Sequence, residues 1–203
     1  MNRGLTKRLG LCYNIVKSNT KCFTCDMKRD AYTNLWDYAA DKYGIITTKE
    51  AAALGVSKQH LVMMAIRGNL TRLGHGVYLV KHHAFSDNDV YAHTVVLLGD
   101  TGYLRSASVL AMHRLCPTNP SLVYVGATGR VRRKLPEGVR LKDRTACETV
   151  EYFGIRSQSV VDALRTAFEE GAVELTRIKE AARKAKEKGL IGDDEAAEFE
   201  KQS

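Results

Sequence analysis

The 203-residue sequence predicts an α+β protein: a winged helix–turn–helix at the N-terminal side, then a mixed α/β domain, then a charged helical tail. Three observations predict it. Residues 43–80 run a Gly stop, two short capped helices and two apolar runs on either side of Gly74-His75-Gly76. Beyond residue 86, helix-like and strand-like runs are interleaved. From residue 171 onward, Lys, Arg and Glu dominate a stretch with helical propensity throughout.

Each element has a local reason. Leu35, Tyr38, Ala39 and Lys42 recur at i, i+3, i+4 and i+7, predicting a helix from Ala31 to about Lys42 that Tyr43-Gly44 stops. Ile45-Ile46 is a very short strand. Thr47 and Glu50 have capping-box spacing and open a helix ending near Leu54. Gly55-Val56 turns the chain, Ser57 caps the next helix, and Gly68-Asn69 breaks it after Arg67. Leu70–Leu73 and Val77–Val80 then read as a β-hairpin. Past a His82-His83 linker, Ser86 is expected to cap a helix through Leu98, closed by Gly99-Asp100-Thr101-Gly102. A further helix spans Ser106 to Leu115, because Pro117 and Pro120 forbid its continuation. Strands are expected at Leu122–Val125, Val139–Lys142 and Thr149–Phe153, and Ser157 as the cap of a helix carrying Val160, Val161, Leu164 and Phe168. The expected division is a basic, poorly ordered arm at 1–29, the winged helix–turn–helix at 30–80, the α+β domain at 86–170 and the charged segment at 171–203. Met27 precedes the first clear helix, so translation from there would leave the globular part intact.

Composition narrows the class. Hydrophobic residues make up 44% and charged residues 27%, the balance of a soluble globular protein, and no run of 18 apolar residues exists. The expected compartment is the cytoplasm, with no membrane partner. Five cysteines spread over the chain do not form a secreted disulfide framework. Net charge is +8, and the excess lies in the first three quarters, since residues 151–203 carry nine basic and twelve acidic side chains. That distribution suits a polyanionic partner.

The helix from Ser57 carries the DNA-reading hypothesis. Leu61, Met64 and Ala65 fall on one face and lock it onto the preceding helix with Ala51, Ala52 and Leu54. Its first turn is thereby offered to a major groove. Ser57, Lys58, Gln59 and His60 are the candidate base readers, Gln suiting adenine and Lys guanine. Arg67, Arg72 and His75 complete the candidate DNA-binding set, the last two suited to phosphates. The same geometry turns Val62, Met63 and Ile66 outward. Three readings stay open for them: packing against the hairpin or first helix, contact with thymine methyls, or a partner-protein surface.

These residues carry a resemblance. YGIITTKEAAALGVSKQHLVMMAIRGNLTRLGHGVYLV closely resembles the N-terminal domain of AbiEi-type antitoxins, the repressor-antitoxins of type IV toxin–antitoxin systems. Shared are Gly-Ile-hydrophobic-Thr, an Ala-rich second helix, Gly-Val-Ser, and Gly-x-Leu-x-Arg-Leu-x-x-Gly-Val-Tyr. LRSASVLAMHRL is similar to a helix of the family's second domain through Ser106, Leu110 and His113. GRVRRKLPEGVRL resembles its Arg-rich hairpin, and GIRSQSVVDALRTA its closing helix with Asp162. The likeness extends over about residues 32–170. It implies a non-enzymatic protein of abortive-infection-like phage defence with two tasks: repressing its own operon by binding inverted repeats in double-stranded promoter DNA, and countering a nucleotidyltransferase-like toxin without a stable complex. The sequence departs from the family where relatives carry Arg, Lys or Tyr and this chain has its apolar outward face.

Other features have weaker claims. Arg130, Arg132, Arg133 and Lys134 form the densest basic cluster, a second candidate basic surface or a solvated hairpin. Cys22 and Cys25 have zinc-like spacing but lack a second ligand pair at finger distance, so no metal and no cofactor are expected. His113, near a helix end where the dipole favours an imidazolium, reads as a cap or core residue, and Asp162 as an ion-pair partner of Arg165. The tail, with Glu180–Lys184 and Arg183–Glu187 at i,i+4, reads as a solvent-exposed helix. P-loop, GxGxxG, HExxH and GxSxG signatures are absent, so no catalytic residues are expected. A stand-alone winged-helix regulator whose second domain binds a protein or ligand is the alternative. A nuclease fusion is a weaker one, because the only close approaches to the required acid and Glu-x-Lys pattern, around Glu180 and Glu187, fall in the charged helix rather than on a strand.

Overall fold

The computed structural model describes residues 31–132, 134–142 and 144–201. The basic arm, the Cys22/Cys25 pair and Arg133 therefore lie outside the described residues. The described chain is mixed α+β, with eight helices and two sheets. None of its helices is long and apolar enough to cross a membrane.

The first unit is built from α1 (Ala31–Ala40), β1 (Ile45–Thr47), α2 (Thr48–Ala53), α3 (Lys58–Ile66) and the hairpin β2 (Leu70–Gly74) and β3 (Val77–Val80). Gly44, at φ 71°, makes the left-handed stop of α1. Thr47 and Glu50 form the expected capping box: Glu50 Oε2 accepts from the Thr47 backbone at 2.9 Å, and the Thr47 hydroxyl accepts from the Glu50 backbone at 3.2 Å. The other oxygen of Glu50 accepts from Lys42 at 2.8 Å and from the Tyr38 hydroxyl at 3.2 Å, so one carboxylate both caps α2 and ties it to α1. Burial works against its ionisation, but Lys42 and Thr47 outweigh burial and hold its pKa below the usual range. β1, β3 and β2 form an antiparallel sheet in that order. Leu35, Ala39, Ile46, Ala51, Val56, Leu61, Met64, Leu70, Tyr78 and Val80 make this unit's core.

The second unit contains α4 (Asp89–Leu98), β4 (Gly102–Leu104), α5 (Ala107–Met112), β5 (Val123–Ala127), β6 (Val139–Lys142), β7 (Thr149–Tyr152), β8 (Ile155–Gln158), α6 (Val160–Glu169), α7 (Leu175–Glu187) and α8 (Asp193–Glu200). Its sheet runs β6-β5-β4-β8-β7.

Several local expectations give way here. Ser86 does not cap a helix: α4 starts at Asp89, and Ser86 instead donates from its backbone and hydroxyl to the Asp89 carboxylate, each at 3.1 Å. Gly102–Leu104 is a buried central strand rather than part of a closing turn. Its central position leaves no polar face to alternate with, so the run is too short and uniform to be recognised. Residues 155–158 form a strand, and the helix cap moves from Ser157 to Ser159, which accepts from the Asp162 backbone. β7 and β8 pair antiparallel around Phe153-Gly154, both at positive φ, as a two-residue turn of primed type requires. The Arg-rich stretch is not a hairpin. β5 and β6 pair in parallel, Val123 opposite Val139, so residues 128–138 must carry the chain back along the sheet edge as a crossover.

The charged tail is the largest departure from an exposed helix. Ile178, Ala181, Ala182 and Ala185 of α7, with Ala196 and Phe199 of α8, join the second unit's core beside Leu110, Leu164 and Ala167. The charges occupy the opposite face. Glu180–Lys184 forms as the spacing predicts, at 2.6 Å, but Arg183 reaches Glu200 of α8 instead of Glu187. Arg165 spans from α6 to Glu198 with two bonds of 2.9 and 2.6 Å.

The two units touch. Ile45 and Val77 of the first are counted within the core of the second. Gly74 lies against Leu97, where a Cβ would approach the Leu97 side chain to 2.5 Å. His93 of α4 bonds the Tyr43 carbonyl at 3.0 Å, and the Tyr43 hydroxyl donates to the Phe153 carbonyl. The hairpin thus has a packed anchor on α4.

Candidate nucleic-acid interface

α3 is a nine-residue helix whose ends are set by local chemistry. The Ser57 hydroxyl accepts from the His60 backbone at 3.2 Å, and Gly68, at φ 78°, follows the Arg67 C-cap. Leu61 and Met64 are buried against Ala51 and Val56, as the period demands, while Ala65 is partly buried and Ala52 is exposed. This packing leaves the first turn of α3 in solvent. Ser57, Lys58, Gln59 and His60 are all exposed, as are Arg67, Arg72 and His75.

The tertiary arrangement brings part of that set together. Lys58, Val62, Arg72 and His75 border one recess of about 350 Å³ between α3 and the hairpin, floored by Thr48, Gly76 and Tyr78. Thr48 holds the hairpin tip in place: its backbone and hydroxyl both donate to the Gly76 carbonyl, at 2.9 and 3.0 Å. Gly76 sits at φ 73°, and a Cβ there would lie 2.6 Å from the Thr48 hydroxyl oxygen, so glycine is required twice over. The register slips between Arg72 and Gly74, a β-bulge, and the Arg72 Nε donates to the Gly74 carbonyl at 3.2 Å. Thr48 and Gly76 are the positioning residues that sequence reasoning passed over. Gln59 and His60 share the first turn of α3 with Lys58 but do not border the recess. Arg67 stands at the other end of the helix, roughly 13 Å along the axis.

The outward face of α3 is open. Val62, Met63 and Ile66 are 39%, 44% and 72% exposed, so Val62 and Met63 are partly covered while Ile66 stands open. Val62 borders the hairpin recess, and Ile66 projects furthest into solvent.

The second basic cluster lies on the β5–β6 crossover, where Arg130, Arg132 and Lys134 are exposed. Glu180 lies on the solvent face of α7 in its pair with Lys184, away from any strand. Asp162 accepts from the Ser159 hydroxyl at 2.7 Å and pairs with Arg165 at 3.4 Å, a capping and ion-pair role. His113 is 8% exposed at the C-cap of α5, its ring edge-on to Tyr152 at 4.5 Å. Burial first, and then the nearby Lys188, lower its pKa, working against the imidazolium that the helix dipole alone would favour.

A group outside the candidate DNA-binding set was not anticipated. His83, Asp89 and His93 converge at the junction of the two units, with their ligand-capable atoms all within 4.8 Å of one another. The signal was legible in part: Asp89 and His93 are four residues apart, hence on one face of a helix.

Compared with known proteins, no curated protein matches the chain. Residues 37–81, under a quarter of the chain, match the family model described as transcriptional regulator, AbiEi antitoxin. The match runs from within α1 to the residue after β3, the stretch that holds the recess, and agrees with the resemblance read from Tyr43 to Val80.

Proposed function

We propose that the protein is a DNA-binding autorepressor and antitoxin of a type IV toxin–antitoxin system. In this reading residues 30–80 act as a winged helix–turn–helix, with α3 entering the major groove and the hairpin as the wing. Residues 86–170 and the helical segment 171–203 together form the antitoxin unit, which counters a nucleotidyltransferase-like toxin in the cytoplasm without a stable complex. The observation that carries the DNA reading is the grouping of Lys58 at the first turn of α3 with Arg72 and His75 of the hairpin around one open recess. A helix N-terminus beside two cationic or cation-capable side chains matches a phosphate-lined groove edge.

The apolar outward face sharpens the proposal. Val62, Met63 and Ile66 offer no hydrogen bonds, and the group they complement in a major groove is the thymine 5-methyl. Specificity then divides between polar readers at the first turn and methyl contacts further along α3. The crossover cations Arg130, Arg132, Arg133 and Lys134 serve as a further phosphate-binding surface.

The test is a gel shift of the full chain on the DNA upstream of its own gene, with random duplex as competitor. Promoter binding that survives the competitor is expected. Replacing thymine by uracil in the bound sequence removes only the methyl groups and should weaken binding several-fold. Equal affinity for promoter and random DNA would sink the operator reading, and indifference to uracil would remove the methyl contacts from it. Growth rescue from the adjacent gene's toxic product tests the antitoxin half.

A further inference from the structure

We propose that His83, Asp89 and His93 bind one divalent transition-metal ion of the zinc class at the junction between the N-terminal unit and α4. The three residues come from a loop and one helix face. Asp89 and His93 project from consecutive turns of α4, and His83 reaches them from the linker, where His82 takes a positive φ of 63° to turn the chain. One ligand-capable atom from each lies within 4.8 Å of the other two, close enough for small side-chain movements to gather them around a single ion. His83 and Asp89 are 6% and 7% exposed, and His93 is partly buried.

The surroundings orient each group as the outer shell of a metal centre does. Asp89 Oδ1 is held by the Ser86 backbone and hydroxyl, which leaves Oδ2 directed to His83 Nε2 at 2.7 Å. His93 Nε2 faces the Tyr43 carbonyl at 3.0 Å. A carbonyl only accepts, so that nitrogen carries the proton and the lone pair lies on Nδ1, free for a metal. The Gly44 backbone lies close against the His83 side chain: a Cβ at Gly44 would meet its Cγ at 2.5 Å. That contact limits how the ring can turn.

Charge favours a cation. A cation bound beside the buried Asp89 carboxylate would offset the cost of burying its charge. Two imidazoles and one carboxylate are a borderline nitrogen–oxygen donor set suited to zinc, with a fourth tetrahedral position left to water. Ligands 2.0–2.1 Å from zinc stand about 3.3 Å apart in a tetrahedron. The His83–Asp89 separation must therefore open by about half an ångström on binding. The ion would cross-link the linker to α4 directly, and the α1–β1 turn indirectly through Tyr43.

The experiment uses the full chain with Cys22→Ser and Cys25→Ser, stripped with a chelator and titrated with zinc chloride by calorimetry. One zinc per chain is expected, with a zinc-dependent rise in Tm. Adding His93→Ala should weaken affinity by more than the 10–100-fold typical of losing an outer-shell partner. Cobalt in place of zinc should show ligand-field bands without thiolate charge transfer. The proposal is overturned if the Cys-substituted chain takes up no zinc, if His93→Ala binds as well as its parent, or if a thiolate band places the ion on Cys12, Cys116 or Cys147. Should His93→Ala fail to fold, the stoichiometry and cobalt spectrum of the parent decide alone.

Discussion

Arg105, at the end of β4, holds Glu170, the C-cap of α6, through two parallel bonds of 2.9 and 2.8 Å. The arginine is 3% exposed, and Lys142 of β6 adds a third bond to the same carboxylate at 3.2 Å. One acid thus joins the sheet centre, the sheet edge and a helix end. Burial opposes ionisation of Glu170, but Arg105 and Lys142 outweigh it and hold its pKa below the usual carboxylate value.

Glu170→Gln should therefore strand a buried guanidinium and lower stability by about 3 kcal/mol, the lower end for a broken buried pair, because the carboxylate is partly exposed. The depressed pKa sets the pH dependence. The contribution is full above the unfolded value near 4.5 and is lost as pH falls through the folded value. Urea unfolding of both proteins should show the difference at neutral pH and its narrowing in acid.

His113 has the opposite charge type and a lowered pKa. Below about 6.5 the unfolded chain takes a proton that the buried ring resists, so stability falls with acidification from that point. His113→Phe keeps a ring against Tyr152 but cannot titrate. Its denaturation midpoint should be flatter between neutral and mildly acidic pH; an unchanged slope would assign the acid sensitivity elsewhere.

The two faces of α7 should respond differently. Ile178→Ala removes a fully buried side chain from the core and should cost about 2–5 kcal/mol. Lys184→Ala on the exposed face removes the pair with Glu180 and should leave the midpoint nearly unchanged. Comparable effects from both would contradict the burial of one face.

For DNA, Lys58→Ala and Gln59→Ala should each reduce promoter affinity by about 1–3 kcal/mol while leaving affinity for random duplex nearly intact. Arg72→Ala should weaken both and reduce the salt slope by about one counterion. Fluorescence anisotropy at several salt concentrations separates the two patterns. Parallel losses on random DNA for all three would remove α3 as the reading helix.

Much of the N-terminal unit was legible because its signals are local. The Thr47–Glu50 box, the Ser57 cap, the Gly44 and Gly68 stops and the hairpin around Gly74-His75-Gly76 each act within a few residues. The inward Leu61 and Met64 follow from the helical period alone. The outward Val62, Met63 and Ile66 followed from the same period, but whether anything covered them was a tertiary question, and the hairpin's position left them exposed.

The second unit was less legible, since its decisive contacts join distant residues. A three-residue central strand at Gly102–Leu104 has too few positions to show a period. The direction of β6 against β5 depends on where the crossover deposits the chain, which residues 128–138 do not encode by themselves. In α7, Ile178, Ala181, Ala182 and Ala185 have helical spacing, yet alanine is small and the surrounding charges mask the stripe until α5, α6 and α8 pack on it. The sequence by itself determined the helix caps, the turn glycines and the family likeness, because those rest on neighbours in the chain. Only the tertiary structure decided that Lys58 meets Arg72 and His75, that Arg105 meets Glu170, and that His83 meets Asp89 and His93, because each depends on how separately formed elements dock.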